Sequence, residues 1–252
     1  MNPSPSNTVV VIPTRMAAVR LPGKPLADIC GEPMIVRVWR RAVEAGVGPV
    51  LVAAAEDVIA QAVADAGGDA ILTDPALGSG TDRVAAAVAM RDPERRFRFV
   101  INLQGDLPTI RPSDIRACLK PLAATEADIA TLAAEIRDPE ELENPNVVKA
   151  YVDLESAETA VADDFRREPG RIRPQWHHIG IYAYRRGVLE RFVSLPPSAS
   201  EIERRLEQLR AMDAGMTIAV QRVDLAPFGV DTPADLDRAR SAVKAELSGA
   251  AG

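Results

Sequence analysis

The chain has 252 residues, of which 47% are hydrophobic and 26% charged, and its formal net charge is −6. This composition is typical of a globular protein that buries its own core, and the acidic balance argues against a general nucleic-acid binder. The two cysteines, Cys30 and Cys118, lie far apart without a partnering His or Cys pattern, which excludes a disulfide framework or a zinc cluster and suits a reducing cytoplasm.

The N-terminus, MNPSPSNTVVVIP, does not resemble a signal peptide, because it has no charged start and no long apolar run before Pro13. No stretch approaches the ~18 apolar residues that span a bilayer. We therefore expect a cytoplasmic location, with no membrane and no nucleic-acid partner. Residues 1–7 and 248–252 are expected to be flexible.

The first half of the chain alternates short apolar runs with helical patterns. It predicts strands over residues 8–12, 49–55, 69–74 and 97–104, and helices over residues 33–46, 56–68 and 81–90. Near-continuous apolar strands separated by helices indicate an α/β fold, with a mixed, mostly parallel sheet flanked by helices. Ligands of such sheets bind beyond the carboxyl ends of the strands.

The second half is less regular. It predicts strands over residues 128–136, 147–154, 178–184 and 216–224, and helices over residues 186–195, 200–215 and 231–247. In the closing helix, Thr232 can act as the cap, Pro233 opens the first turn and Asp235 completes a capping box. Because no repeat, low-complexity block or linker interrupts the chain, we expect a single domain over residues 1–252.

A basic loop, residues 14–26 (TRMAAVRLPGKPL), directly follows the first strand. It carries Arg15, Arg20 and Lys24 and no carboxylate. Three cations can neutralise a triphosphate, and Gly23 lets backbone N–H groups approach the phosphates closely. The alternative is a solvated loop with accidental charge. Neither a Walker sequence nor a G-x-G-x-x-G fingerprint follows the first strand, which argues against P-loop hydrolysis and hydride transfer.

A second glycine-containing segment, GSGTDR at residues 78–83, leads into a predicted helix. A helix N-terminus favours anions, so this segment is a candidate phosphate loop. A plain turn with Thr81 as the helix cap explains the pattern equally well.

Two carboxylates are candidate metal ligands. Asp106, in NLQGDLP at residues 102–108, follows the fourth predicted strand and Gly105, so it is expected at the sheet edge beside the basic loop. Mg²⁺ takes one or two protein carboxylates and completes its shell with phosphate oxygens and water. Asp231 in GVDTP is the second candidate, although it could simply flank the cap of the closing helix.

At this point the sequence resembles the 3-deoxy-manno-octulosonate (Kdo) cytidylyltransferase family. The stretch VVVIPTRMAAVRLPGKPLADICGEPMI looks like the family's N-terminal signature. The resemblance continues colinearly, over nearly the whole chain, through GSGTDR, INLQGDLPTI, NPNVVKA, HHIGIYAYR, LEQLR and GVDTPADL. It implies a single nucleotidyltransferase domain with the nucleotide-diphospho-sugar transferase (Rossmann-like) fold, generally homodimeric and using Mg²⁺ and CTP.

The resemblance also implies roles for the candidate residues. The residues expected to carry catalysis are Arg15, Lys24, Asp106 and Asp231. The residues expected to bind the nucleotide are Arg15, Arg20, Lys24, Ser79, Gly80, Thr81, Arg83 and Gln104. Mg²⁺ would be held by Asp106 and Asp231. The residues expected to contact the sugar acid are His178, Tyr182, Glu207 and Gln208. Without the family, His178 would be interpreted as a satisfied strand histidine, and Glu207 and Gln208 as a polar helix face.

The sequence departs from the family pattern at two places. Leu107 replaces the Glu of the usual QGDEP, which removes a carboxylate beside the proposed metal. The family's YFSRATIP region is present here as DFRREPGRIRP at residues 164–174, where Phe165 and Arg167 correspond to part of it.

The implied reaction is nucleotidyl transfer, in which the anomeric hydroxyl of Kdo attacks the α-phosphorus of CTP and releases pyrophosphate, for lipopolysaccharide synthesis. Such a reaction needs positioning and charge neutralisation more than an activated nucleophile. We identify no general base, and we expect the hydroxyl to lose its proton through metal coordination.

Three alternatives stay open on sequence grounds. One is cytidylyl transfer to another acidic sugar, such as 8-amino-Kdo or a sialic-type acid. A sugar-1-phosphate nucleotidyltransferase ranks lower, because such enzymes usually carry glycines where this chain has TRMAAV. The third is a non-catalytic nucleotide-binding relative, which Leu107 and the altered segment 164–174 favour and the retained charged residues oppose.

Overall fold

The computed structural model describes residues 1–18, 20–170 and 175–249. The strands are β1 (Thr8–Thr14), β2 (Asp28–Ile29), β3 (Glu32–Pro33), β4 (Val50–Ala54), β5 (Asp69–Leu72), β6 (Phe99–Leu103), β7 (Ile129–Glu135), β8 (Lys149–Tyr151), β9 (Thr159–Val161), β10 (Asp164–Arg166), β11 (Gln175–Arg185) and β12 (Ile218–Val223). The helices are α1 (Met34–Ala45), α2 (Asp57–Asp65), α3 (Gly80–Arg91), α4 (Pro112–Ala117), α5 (Lys120–Ala124), α6 (Pro139–Glu143), α7 (Arg186–Ser194), α8 (Ala199–Arg204), α9 (Leu209–Asp213) and α10 (Pro233–Gly249).

The chain groups into two compact units. The N-terminal unit consists of Pro5–Phe97, Asn102–Ile115 and Pro227–Gly252, and the central unit consists of Met1–Ser4, Arg98–Ile101 and Arg116–Ala226. The expectation of a single domain over residues 1–252 stays a prediction, as does the flexibility of residues 1–7 and 248–249. Residues 250–252 lie outside the described residues.

Parallel strands form the centre of the N-terminal unit. β1 pairs in parallel with β4, from Val10 opposite Val50 to Thr14 opposite Ala54, and β4 pairs in parallel with β5. Every residue of β1 and of β4 is buried. An apolar run without alternation is what a strand covered on both faces requires. The loop that leaves β1 at Thr14 therefore begins at the carboxyl end of a buried parallel strand.

The closing helix α10 is anchored against the start of the chain's first helix. Its buried residues belong to an apolar cluster made of Ile29, Met34, Val230, Leu236, Ala239 and Val243. Thr232 accepts a hydrogen bond from the backbone N–H of Asp235 at 3.2 Å, and Asp235 accepts one from the N–H of Thr232 at 3.0 Å. The predicted capping box is therefore confirmed, and it fixes the backbone beside Asp231.

The central unit contains a mixed sheet in the order β11–β7–β12–β9. β12 runs parallel to β7, whereas β11 runs antiparallel to it, with a register shift between Ile179 and Tyr182. β8 pairs antiparallel with β11, and β10 pairs antiparallel with β8. The predicted α/β class with a mixed, mostly parallel sheet is confirmed.

Each strand and helix predicted from the sequence corresponds to an observed element, with one correction. The single helix predicted over residues 200–215 is wrong, because α8 ends at Arg204 and α9 begins only at Leu209. Between them Arg205 has φ 55° and adopts the left-handed conformation, which interrupts an α-helix. The elements that were not predicted are short ones: β2, β3, β9, β10, α4, α5 and α6. Within the described part of the chain, no helix is both long and apolar enough to cross a bilayer.

Candidate active site

A cavity of about 480 Å³ opens in the N-terminal unit beyond the carboxyl ends of β1 and β6. Most of the predicted nucleotide and metal residues line it: Arg15, Arg20, Lys24, Ser79, Gly80, Arg83, Gln104, Asp106 and Asp231. Thr81 does not line the cavity and is 2% exposed. The sequence motifs that follow different strands thus converge on one concave surface.

The backbone of the basic loop is held at both ends of the charged segment. Near its start, Met16 donates its N–H to Glu56 Oε2 at 2.9 Å. Near its end, Gly23 has φ 71° and caps a single 3₁₀ turn that begins at Lys24. A left-handed φ is inexpensive for Gly and strained for other residues, so Gly23 sets the direction in which Lys24 leaves the loop. Residue 19, in the middle of the loop, lies outside the described residues.

Lys24 forms salt bridges with both predicted metal ligands. Its Nζ lies 2.8 Å from Asp106 Oδ2 and 3.0 Å from Asp231 Oδ1, and Arg20 lies 2.9 Å from the other oxygen of Asp231. The two acidic segments are also bonded through the backbone, since the N–H of Val230 donates to the carbonyl of Asp106 at 2.9 Å. Burial lowers the pKa of the Lys24 ammonium, but the charges and hydrogen bonds of the two carboxylates outweigh burial and raise this pKa above its ordinary value.

The two carboxylates fit a magnesium ion. Because one ammonium nitrogen reaches both Asp106 and Asp231, their oxygens lie within two hydrogen-bond lengths of each other. Two carboxylates beside a cation-lined cavity are the donor set that Mg²⁺ prefers when a nucleotide supplies its other ligands. Among the described residues, no three His, Cys, Asp or Glu side chains form a metal-binding cluster. A metal held by Asp106 and Asp231 would therefore take its remaining ligands from the nucleotide and water.

The segment GSGTDR begins α3 with a capping box. Ser79, and not Thr81, is the cap: its hydroxyl accepts from the N–H of Asp82 at 3.1 Å, and Asp82 accepts from the N–H of Ser79 at 3.1 Å. Thr81 instead accepts a hydrogen bond from the buried Asn102 amide at 3.3 Å. Gln104 Nε2 in turn donates to Asn102 Oδ1 at 3.0 Å, so Gln104 retains its Oε1 as an acceptor.

Arg83 lines the cavity and is held in place by hydrogen bonds. Its guanidinium donates to Thr73 Oγ1 at 2.5 Å and to the carbonyl of Asp74 at 3.2 Å. Burial, and then the positive charge of Arg15, lower the pKa of Arg83. The positive charges of Arg15 and Arg83 repel each other, and together they create a positive potential in the cavity that favours an anion.

The central unit brings His178 and Tyr182 together in an aromatic cluster. The ring centroids of His178 and Phe165 lie 5.0 Å apart, and those of His178 and Tyr182 lie 5.5 Å apart. Thr131 Oγ1 lies 3.0 Å from His178 Nε2 and donates its proton to the carbonyl of Ile181 at 2.8 Å. A hydroxyl has one proton, and the short contact to Ile181 favours the arrangement in which His178 donates through Nε2 and keeps Nδ1 as the acceptor nitrogen of a neutral ring.

Burial, followed by the charge of His177, lowers the pKa of His178 from 6.5 to about 3. The unfolded chain therefore binds a proton between these pH values that the folded protein excludes, and the stability that neutral His178 provides is lost as pH falls from 6.5 toward 3. Between these pH values, the unfolding free energy of His178→Gln should fall less steeply with decreasing pH than that of the wild type. We expect the two slopes to differ by up to about 1.4 kcal/mol per pH unit. Denaturant titrations at pH 6 and 4 measure the slope. A slope equal to that of the wild type would contradict the buried neutral histidine.

Glu207 and Gln208 of the LEQLR motif lie in the break between α8 and α9, and the last two residues of the motif begin α9. Burial, followed by the negative charge of Glu207, raises the pKa of the Tyr182 phenol. Gln208 is 7% exposed, and none of the described residues accepts a hydrogen bond from its Nε2. A buried amide donor without a protein acceptor is costly unless a ligand satisfies it.

The two departures from the family pattern have distinct structural settings. Leu107 is 6% exposed and therefore contributes apolar packing where the family has a carboxylate. Phe165 is fully buried and provides the edge-to-face partner of His178. Arg167 donates to the carbonyls of Pro145 and Arg205. Residues 171–174 lie outside the described part of the chain.

Three residues that hold predicted site residues in position were not identified from the sequence. Glu56 holds the basic loop, Asn102 orients Gln104, and Thr131 fixes the tautomer of His178. Asn102 and Thr131 are polar residues within the buried strands FVINL and IATLAAE. A polar side chain inside an apolar run needs a hydrogen-bond partner, and this signal could have identified both.

Comparison with known proteins shows which family this chain is similar to. A family model described as Cytidylyltransferase matches residues 9–218. A 3-deoxy-manno-octulosonate cytidylyltransferase of Parvibaculum lavamentivorans is 58% identical over 93% of this chain and 92% of its own length. The enzyme of the same name from Paramagnetospirillum magneticum is 55% identical over 94% of this chain and 98% of its own length.

Two solved structures are similar to this chain. One is a CMP:2-keto-3-deoxy-manno-octonic acid synthetase complexed with CTP, with a TM-score of 0.85 and 40% identity over 96% of this chain and 100% of the other. The second is a 4-diphosphocytidyl-2C-methyl-D-erythritol synthase from Anaerococcus prevotii, with a TM-score of 0.63 and 11% identity over 94% and 98% of the two chains, a likeness that concerns the fold alone. From the full-length similarity, the chain belongs to the 3-deoxy-manno-octulosonate cytidylyltransferase family.

Proposed function

We propose that this protein transfers CMP from CTP to the anomeric hydroxyl of Kdo and releases pyrophosphate. The observation that carries the proposal is the cavity in which Arg15 and Lys24 stand beside the paired carboxylates of Asp106 and Asp231. A cation-lined surface next to a two-carboxylate site is what binding of a nucleoside triphosphate with Mg²⁺ requires. The names of the close relatives give the nucleotide and the sugar acid.

The nucleotide is assigned to the N-terminal unit. We assign its phosphates to Arg15, Arg20 and Lys24, and its nucleoside to Ser79, Gly80, Thr81 and Gln104, with Arg83 supporting the positive potential. Thr81 acts through Asn102, since it lies beneath the cavity surface. Backbone N–H groups at the start of α3 and the free acceptor of Gln104 are suited to the polar edge of a nucleoside.

Asp106 and Asp231 are the residues that would hold Mg²⁺. When bound, the ion would neutralise phosphate charge and make the attacking hydroxyl more acidic. The protein's own cations orient the triphosphate so that pyrophosphate departs opposite the attacking oxygen. The new bond joins the anomeric oxygen to the α-phosphorus, the bond from that phosphorus to the bridging oxygen breaks, and the hydroxyl proton passes to solvent.

The sugar acid is assigned to residues of the central unit. Neutral His178 offers an acceptor at Nδ1, and Gln208 offers a donor at Nε2. Tyr182 and Glu207 complete the candidate set. An acceptor for hydroxyl protons and a donor for a carboxylate are the two kinds of group that an acidic sugar requires.

Three further statements belong to the same proposal. We propose that Mg²⁺ is the metal, that the protein works as a homodimer in the cytoplasm, and that its product serves lipopolysaccharide synthesis. Support comes from the family resemblance, from the paired carboxylates, and from two cysteines that form no disulfide in the structure.

Pyrophosphate release measured for each nucleoside triphosphate against a panel of sugar acids tests the function. We expect turnover with CTP, Mg²⁺ and Kdo, and at least about 10-fold lower kcat/KM with 8-amino-Kdo or a sialic acid, because buried polar groups left unpaired discriminate strongly. Preference for another acid would correct the acceptor. Binding of CTP without turnover on any acid would instead identify a non-catalytic relative.

A further inference from the structure

Lys24 occupies the position between the two carboxylates that are suited to a metal. Its ammonium hydrogen-bonds to Asp106 Oδ2 at 2.8 Å and to Asp231 Oδ1 at 3.0 Å, while Arg20 bonds to the second oxygen of Asp231 at 2.9 Å. Two negative and two positive side chains therefore form a cluster with no net charge. The Lys24 side chain is 18% exposed, so it is more protected from solvent than either carboxylate.

This pairing opposes the binding of a metal ion by itself. A divalent cation that takes the same oxygens must displace ammonium protons from them, and Mg²⁺ gives up its own water reluctantly. A neutral cluster also offers little net attraction to a cation, whereas two unpaired carboxylates would attract it strongly.

A nucleotide changes this balance. The same cavity is lined by Arg15 and Arg83, and triphosphate oxygens there would compete with the carboxylates for the Lys24 ammonium. Lysine has a point charge on a flexible four-carbon stem, and the 3₁₀ turn after Gly23 fixes its backbone. Movement of the Lys24 side chain alone releases Asp106 Oδ2 and Asp231 Oδ1, while Arg20 keeps its contact with the second oxygen of Asp231.

We propose that Lys24 is an internal counter-cation of the metal site, which pairs with Asp106 and Asp231 until triphosphate oxygens attract it away, so that nucleotide and metal bind as a coupled pair. The inference rests on the proposed function, because it takes the metal to be held by these carboxylates. Coupling of this kind is reciprocal: the metal must raise the affinity for the nucleotide by the same factor.

Binding of Mn²⁺, followed by the electron paramagnetic resonance signal of the free ion, tests the proposal on the full chain without nucleotide or sugar acid. We expect Lys24→Met to bind Mn²⁺ at least about 10-fold more tightly than the wild type. Adding Asp106→Asn to Lys24→Met should remove the gain. With α,β-methylene-CTP present in both samples, Lys24→Met should no longer bind Mn²⁺ more tightly than the wild type. Lys24→Gln serves as a second variant if Lys24→Met does not fold.

Arg15→Met is the matched control, because it removes a cation that lines the same cavity but is not bonded to either carboxylate. The proposal that Lys24 is the counter-cation would be overturned by an equal gain in Mn²⁺ affinity in Arg15→Met and Lys24→Met. It would also be overturned if folded Lys24→Met showed no gain in Mn²⁺ affinity. Failure of the proposed function is a different result. If Asp106→Asn and Asp231→Asn leave Mn²⁺ binding with the nucleotide analogue unchanged, the metal site itself is wrong, and the inference is overturned with it.

Discussion

Asp106→Asn is expected to lower the kcat of CMP transfer by at least about 10³-fold, because a catalytic metal contributes several kcal/mol of charge stabilisation in the transition state. Asparagine retains the shape and one acceptor oxygen of the side chain but removes its charge. Pyrophosphate release at saturating CTP, Kdo and Mg²⁺ measures the effect.

The fold should survive this substitution. Asp106 is partly exposed, its side chain being 31% accessible, and Lys24 keeps its contact with Asp231, so we expect a change of no more than about 1 kcal/mol in unfolding free energy. Asp65→Asn, at the exposed end of α2, is the matched control and should leave both activity and stability unchanged. Activity of Asp106→Asn within a few-fold of the wild type would show that the proposed metal site is wrong.

Arg15→Ala is expected to lower kcat/KM for CTP by about 10- to 100-fold, since a hydrogen bond to a charged group contributes about 1.5–3 kcal/mol. Arg15→Lys should recover part of the loss, because lysine keeps the charge but not the paired donors of a guanidinium. Initial rates over a range of CTP concentrations separate these variants.

Arg91→Ala is the control for the loss of a surface arginine from the same unit. Arg91 lies at the end of α3, where it forms an exposed ion pair with Asp69. Exposed pairs contribute little, so kcat/KM should stay within about twofold of the wild-type value. If Arg91→Ala and Arg15→Ala lose activity equally, general electrostatics and not a phosphate contact explains the effect of Arg15.

The convergence of the predicted nucleotide residues on one cavity could be predicted from strand order. Arg15 follows β1 and Asp106 follows β6, and the carboxyl ends of parallel strands meet at one edge of a sheet. Asp231 follows no strand, and it was a candidate as the second carboxylate in GVDTP, with a role flanking the cap of the closing helix as the alternative. The structure explains the placement through the Thr232 cap and the backbone bond from Val230 to Asp106.

The local structure around the predicted sugar-acid residues Glu207 and Gln208 was less predictable. Nothing in SEIERRLEQLR indicates a break, because Arg205 adopts its left-handed conformation without the glycine that usually marks one. Leu206 and Leu209, on either side of Glu207 and Gln208, are 4% and 3% exposed, so the interrupted segment packs both leucines in the interior. Local pattern could not show this, because tertiary packing overrides helix propensity.

Transfer of radiolabel from CTP tests the central claim most directly. With the wild-type protein, Kdo and Mg²⁺, label at the α-phosphate of CTP should be found in the sugar product and label at the γ-phosphate in pyrophosphate, in equal amounts. This result is predicted by attack of the anomeric hydroxyl on the α-phosphorus, between the cations of the basic loop and the two carboxylates. Label from the γ-phosphate in the sugar product, or α-label released as free CMP without a sugar product, would contradict it.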